Sequence, residues 1–107
     1  MAVIIKNLAK KTLKAGDMSG SPAPGPGKAW IVKNLMLTNR ETTACTIDLK
    51  AVGMFIAPPG MTIGPKSTVV FNDELTLKES GEELSITVTG VSTVGLDYVV
   101  NGVERDV

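Results

Sequence analysis

Chemistry has few places to reside in this chain. The sequence contains no histidine, which removes the commonest general base and the commonest metal ligand together. Carboxylates, lysines and one thiol remain. Asp73-Glu74 and Glu82-Glu83 each flank a turn and read as solvated turn charges. A carboxylate-dependent hydrolase would rest on Asp97 or Glu83. A glycosidase-like carboxylate pair, however, normally comes with aromatic walls that hold sugar, and the aromatics here are only Trp30, Tyr98, Phe55 and Phe71. Cys45 is the single cysteine, so no intrachain disulfide or metal-ligand spacing exists. Its place in the alternation Cys45, Ile47, Leu49 reads as a small buried hydrophobe rather than a nucleophile. The glycines compose no phosphate loop, and Gly25-Pro26-Gly27-Lys28 precedes no helix. The expectation is a non-enzymatic protein: no catalytic residue, no cofactor, no metal ion and no small-molecule substrate.

Binding chemistry is the next class. Lys6, Lys10, Lys11 and Lys14 form a basic run unrelieved by any acid, able to contact phosphates. It lacks the interleaved aromatics that stack bases, and arginine occurs only as Arg40 and Arg105. No nucleic-acid partner is expected. Basic and acidic residues are equal at 11 each, so net charge points to neither nucleic acid nor membrane. Their distribution is uneven: residues 1–66 carry nine basic and three acidic groups, and residues 67–107 carry two basic and eight acidic ones. That pattern is met either by ordinary internal ion pairing or by a basic segment docking on an acidic surface of another copy. Trp30, beside the linker, reads as a core anchor or as an inter-subunit contact covered by the N-terminal segment.

The elements that must position these residues are strands. Apolar residues recur at period two and β-branched residues are abundant. The first strand runs from Val3 to Leu8, with Val3 and Ile5 on one face, and extends toward Leu13. Lys14 to Lys28 is a Pro/Gly/Ser stretch in which Pro22, Pro24 and Pro26 favour extended backbone while Gly25 and Gly27 relieve stiffness. A dozen such residues span roughly 40 Å at about 3.3 Å each. Residues 1–27 are therefore expected to form an N-terminal arm and linker, and residues 28–107 a β-sandwich domain. Within the latter, Ala29–Thr38 breaks phase as a central or bulged strand does. Asn39-Arg40-Glu41 forms a polar turn, and Ala44–Ala51 alternates as the second half of an apparent hairpin. Proline density from 53 to 65 marks a loop or edge segment crossing between sheets. Short strands follow at 67–71 and 75–78, then Leu84–Val88 and Val94–Val100. The fold expected is all-β, a two-sheet sandwich or jelly roll of seven to eight short antiparallel strands with an extended N-terminal arm. No window approaches a membrane span, and Ala2-Val3-Ile4-Ile5 is too short for a signal peptide's apolar region, so a soluble protein folded in a reducing cytoplasm is expected.

The run Gly27-Lys28-Ala29-Trp30-Ile31-Val32-Lys33-Asn34-Leu35-Met36-Leu37-Thr38-Asn39-Arg40 resembles a pattern found in small structural proteins of tailed bacteriophages. Matching features follow in order at Ala57-Pro58-Pro59-Gly60, Pro65–Phe71, Leu75–Lys78, Ser80–Leu84 and Val100–Glu104, so the similarity spans about residues 27–104. The resemblance implies a virion component with a sandwich fold, sited on the capsid surface as a decoration or cement protein, or on the tail. Its expected partners are the major capsid protein and further copies of itself, as a trimer or dimer made in the host cytoplasm. Val3, Ile5, Lys6, Lys10, Lys11, Lys14 and Trp30 are the candidate interaction residues. Removing residues 1–14 is expected to leave a folded monomer that no longer assembles. The alternative is a tail accessory or receptor-binding module that recognises host glycan or protein through an aromatic near Phe55 or Trp30.

Overall fold

Period-two alternation of aliphatic side chains needs a second apolar surface to close on, and here two sheets supply it to each other. The computed structural model describes residues 6–79 and 81–107. It is all-β, with β1 (Lys6–Leu13), β2 (Ser19–Gly20), β3 (Lys28–Asn39), β4 (Cys45–Ala51), β5 (Met54–Phe55), β6 (Met61–Ile63), β7 (Thr68–Phe71), β8 (Leu75–Leu77), β9 (Leu84–Thr89) and β10 (Leu96–Asp106). The first sheet has the order β1-β10-β3-β7, with β8 also pairing β3; the second has the order β2-β9-β4-β5, with β6 also pairing β4. Every pairing among them is antiparallel. A two-sheet sandwich is thus what the alternation builds. The ten strands exceed the seven or eight expected because β2, β5 and β6, of two or three residues each, carry too little pattern to be seen in sequence.

The core lies between the sheets. Trp30, Val32, Leu35 and Leu37 of β3 and Leu96, Tyr98 and Val100 of β10 face Cys45, Ile47 and Leu49 of β4 and Leu84, Ile86 and Val88 of β9, all at most 4% exposed. The phase break in β3 is a bulge, as expected of a central strand. Asn34 pairs Asn101 while Val32 pairs Gly102, so Lys33 is the extra residue and both Val32 and Leu35 point inward. Gly102 is needed there, because a Cβ would land on the Ile31 carbonyl oxygen.

Two expectations need correction. Residues 6–27 are not an arm set apart from the domain: β1 pairs with β10 along its length, β2 pairs with β9, and Leu13 is fully buried. The proline-rich segment 21–27 is one of the connections between the sheets, tied by the Leu84 amide to the Pro22 carbonyl at 3.0 Å. The physical reason is that β10 needs a partner on its second side to cover its backbone, and the nearest chain supplies it. Val3 and Ile5 fall outside the described residues. Nor do β3 and β4 form a hairpin, since they lie in different sheets. The 40–44 segment crosses the sandwich, as does segment 64–67, which contains Pro65, between β6 and β7.

Candidate assembly surface

Crossings between the sheets are distributed unevenly, and this sets which surfaces remain open. The connections 14–18, 40–44, 64–67 and 90–95 all lie at one end of the sandwich, beside Leu13, Asn39, Thr68 and Leu96; 21–27 and 78–83 lie at the other. Asn39 and Glu41 lock the four-crossing end. The fully buried Asn39 amide donates to the carbonyls of Thr43, Ile63 and Gly64, and its oxygen accepts the Glu41 amide at 2.9 Å. The Glu41 carboxylate accepts the Gly95 amide at 2.6 Å, the Ser92 amide at 2.8 Å and the Ser92 hydroxyl. Around them the Arg40 amide reaches the Gly95 carbonyl, the Lys66 amide reaches the Glu41 carbonyl, and the Ala15 amide reaches the Ser92 carbonyl. Asn39-Arg40-Glu41 reads as a polar turn in sequence, and Asn39 and Glu41 prove to be the buried polar centre of this end. Asn39 keeps the inward phase of Leu35 and Leu37, and that was the available signal.

The Gly95 amide, followed by Ser92 and the more distant Lys66, holds the Glu41 carboxyl below its ordinary pKa against the opposing effect of burial. Because the folded pKa is depressed, this group contributes stability that is fully present above the ordinary carboxylate range. The contribution fades as pH falls through the lowered pKa. Glu41→Gln is expected to lower Tm at neutral pH and to flatten the acid limb of the stability profile, checked by thermal melts from pH 7 down to about pH 3.

The two outer faces differ in kind. On the second sheet, outward positions are Thr46, Asp48 and Lys50 of β4 with Ser85, Thr87 and Thr89 of β9, and Thr46 and Thr89 are hydrogen-bonded. On the first sheet, Lys10, Val99, Met36 and Val70 form one row across β1, β10, β3 and β7. Met36 and Val70 are 36% and 44% exposed. A polar row of Asn7, Asn101 and Asn34 flanks it on one side, with Asn101 donating to the Asn34 oxygen at 2.8 Å. On the other side run Thr12, Asp97, Thr38 and Thr68, where Thr12 donates to Asp97 and the two threonines share a hydrogen bond. Beyond the asparagines, Val103 and Ile31 form a second apolar pair. An apolar stripe ruled by self-satisfied polar rows suits contact with another protein.

The edges of the first sheet differ in charge. Strand β1 carries Lys6, Lys10 and Lys11, with Lys14 at its end bridging the Asp17 backbone. Lys6 pairs with Glu104 at 3.6 Å and Lys11 with Asp17 at 3.1 Å, all exposed enough for the pairs to contribute little. Among the described residues no carboxylate pairs with Lys10 or Lys14. At the opposite edge the β7–β8 connection carries Asp73 and Glu74, both exposed, with Glu74 2.6 Å from Lys33. Trp30 sits in the core, 4% exposed, its indole Nε1–H donating at 3.0 Å to Glu104, the same carboxylate that pairs with Lys6, so Lys6 and Trp30 meet through it while Lys10 and Lys14 do not. That bond, aided by Lys6 and Lys28, holds Glu104 below its ordinary pKa.

Cys45 is 2% exposed, and burial pushes its thiol pKa up. It is therefore expected to resist thiol-specific labelling until the protein unfolds, as timed labelling with and without denaturant would read. Asp97 and Glu83 are not brought together: Asp97 lies on β10 of the first sheet, bonded to Thr12 and 3.7 Å from Arg40, and Glu83 precedes β9 of the second. Phe55 is 45% exposed at the β4–β5 hairpin with the Lys50 ammonium 4.7 Å above its ring, beside Met54 at 74%. Among the described residues no cluster of three potential metal ligands occurs.

The sheets and their order define the class as an antiparallel two-sheet β-sandwich. No family model and no curated protein matches the chain. Among solved structures it is similar to the Drosophila NLP core, at a TM-score of 0.54 and 14% identity over 94% of this chain and 100% of that one. The crystal structure of that protein bears on its pentamer formation and histone binding. A second similar structure is the C-terminal domain of the sugar-binding protein EclA, at 16% identity over 98% of this chain and 78% of that one. Its TM-score is 0.35.

Proposed function

We propose that this protein is a non-enzymatic virion component, a capsid decoration protein that binds the major capsid protein and neighbouring copies of itself to stabilise the head. The observation that carries the reading is the contrast between the outer faces. The Val99–Met36–Val70 row crosses the middle of one sheet, while the long strands β4 and β9 of the other show hydroxyls and charges and its exposed apolar side chains, Met54 and Phe55, are confined to the β4–β5 hairpin. A protein fixed to a shell needs one adhesive face and one solvated face. The resemblance of residues 27–104 to tailed-phage structural proteins supports the viral context, and the likeness in fold to a core that forms pentamers supports self-association. In this reading the first sheet lies on the capsid, and its edges meet other copies.

The test is co-sedimentation of the purified protein with heads assembled from the accompanying major capsid protein. Pelleting at a fixed ratio and a raised disruption temperature of the heads are the expected results. Val70→Lys, at a 44% exposed outward position, should leave the fold intact and weaken head binding at least about tenfold, because a desolvated charge then replaces an apolar contact. Retention in the supernatant with heads, but pelleting with tails, would transfer the protein to the tail reading. That alternative draws on exposed Phe55 alone, since Trp30 is in the core.

A further inference from the structure

We propose that copies of this chain associate edge to edge and head to tail, the lysine-bearing edge β1 of one copy lying against the acidic β7–β8 edge of the next. The proposal rests on the self-association part of the function proposed above and names its surfaces. Three observations carry it. First, the sheet order puts the charges of opposite sign at opposite edges of one sheet: Lys10 and Lys14 on the β1 side, Asp73 and Glu74 on the far side of β3. Among the described residues Lys10, Lys14 and Asp73 have no oppositely charged partner, while Glu74 is exposed and shared with Lys33 at 2.6 Å. Second, like edges are mismatched. Lysines along an edge strand oppose its pairing with a copy of itself, and the acidic edge does the same. Only unlike edges attract, which makes the contact heterologous.

Third, strand direction agrees. In the order β1-β10-β3-β7 each neighbour is antiparallel, so the four strands alternate in direction and β7 runs opposite to β1. A copy added in the same orientation therefore presents β1 antiparallel to the preceding β7, and because Lys10 is level with Val70 within one copy, a shift of about four residues along the strand brings Lys10 to the level of Asp73 and Glu74. Beside β1, Lys10, Lys11, Thr12, Asp97, Tyr98 and Val99 line a shallow depression of about 350 Å³, in which Lys10 and Lys11 offer the cationic groups. A repeated heterologous contact closes into a ring of three or more copies when its rotation permits, and a two-fold dimer is not its product.

Solution mass by light scattering tests the proposal, with the full chain at about 50 mM salt, where screening is weak. The parent should be an oligomer. Lys10→Glu with Lys14→Glu, and separately Asp73→Lys with Glu74→Lys, should each run at monomer mass while retaining the parent's near-UV spectrum and melting transition. The chain carrying all four changes should assemble again, as should an equimolar mixture of the two double variants. A parent that stays monomeric at about 0.1 mM, or double variants that keep the parent's mass, would overturn the edge contact. Head co-sedimentation separates this from the functional reading. A monomer that still pellets with heads sinks the edge pairing alone, and an edge-governed oligomer that ignores heads sinks only the decoration role.

Discussion

A chain lacking residues 1–14 should fail to fold, although sequence reasoning expects a folded monomer. Strand β1 covers one side of β10 from Leu96 to Gly102, which would become an edge, and Leu13 fills core space with no exposure. Loss of a buried leucine side chain alone costs about 2–5 kcal/mol. The deletion also frees the β10 amides and carbonyls bonded to β1 and uncovers the flank of Tyr98 and Val100. A domain of this size holds about 5–15 kcal/mol in total, so these losses approach the whole. Near-UV circular dichroism and urea titration would read the result: no cooperative transition, or one displaced to very low denaturant. A truncated chain melting like the parent would show that β1 contributes nothing to the domain.

Gly95→Val should be nearly as severe, from one side chain. Gly95 has φ of 93°, in the region that side-chain-bearing residues rarely adopt, and β-branched ones least of all. A Cβ there would collide with the Leu13 carbonyl oxygen and crowd Thr12 Cγ2 at 3.0 Å and Lys14 Cβ at 3.1 Å. The obstacle is backbone of β1 held in its ladder, so it cannot swing aside. The Gly95 amide also donates to Glu41, so a shift that relieves the collision weakens the four-crossing end. Backbone strain of about 1–3 kcal/mol and overpacking of a similar size add to roughly 3–5 kcal/mol. That corresponds to a fall in Tm of about 15–30 °C. Gly16→Ala, at a similar φ but with nothing within 4 Å of the new Cβ, is the comparison that separates strain from collision.

The long strands were legible because each carries its own two-residue rhythm. Inward Cys45, Ile47 and Leu49, then Leu84, Ile86 and Val88, sit where alternation places them. The phase break in β3 was legible as a bulge for the same reason. Pairing was not. Rhythm says which side chains share a face but is silent on which strand lies alongside, so β3 and β4, adjacent in sequence, look like hairpin partners although they lie in opposite sheets. The Pro/Gly stretch made residues 1–27 look like a tether. Proline content reports local stiffness, whereas β1 is held by long-range pairing to β10 some ninety residues away, which no local signal carries. Of the surface, the imbalance of charge between halves was visible from composition. Its meaning required the sheet order that sends the two charges to opposite edges.

The uneven division of crossings has a consequence for what the protein can carry. The end tied by Asn39 and Glu41 leaves no segment that could lengthen without pulling apart hydrogen bonds to several others. At the far end the β4–β5 hairpin turns at Val52 and Gly53, both at positive φ and both exposed, bonded to the rest chiefly through the Val52 amide and the Glu83 carbonyl. A peptide spliced between Val52 and Gly53 would replace a strained turn with a relaxed loop, and loop extension costs only about 0.6 kcal/mol per doubling of length. That tip is where a foreign epitope can be mounted, once per copy, without disturbing either sheet.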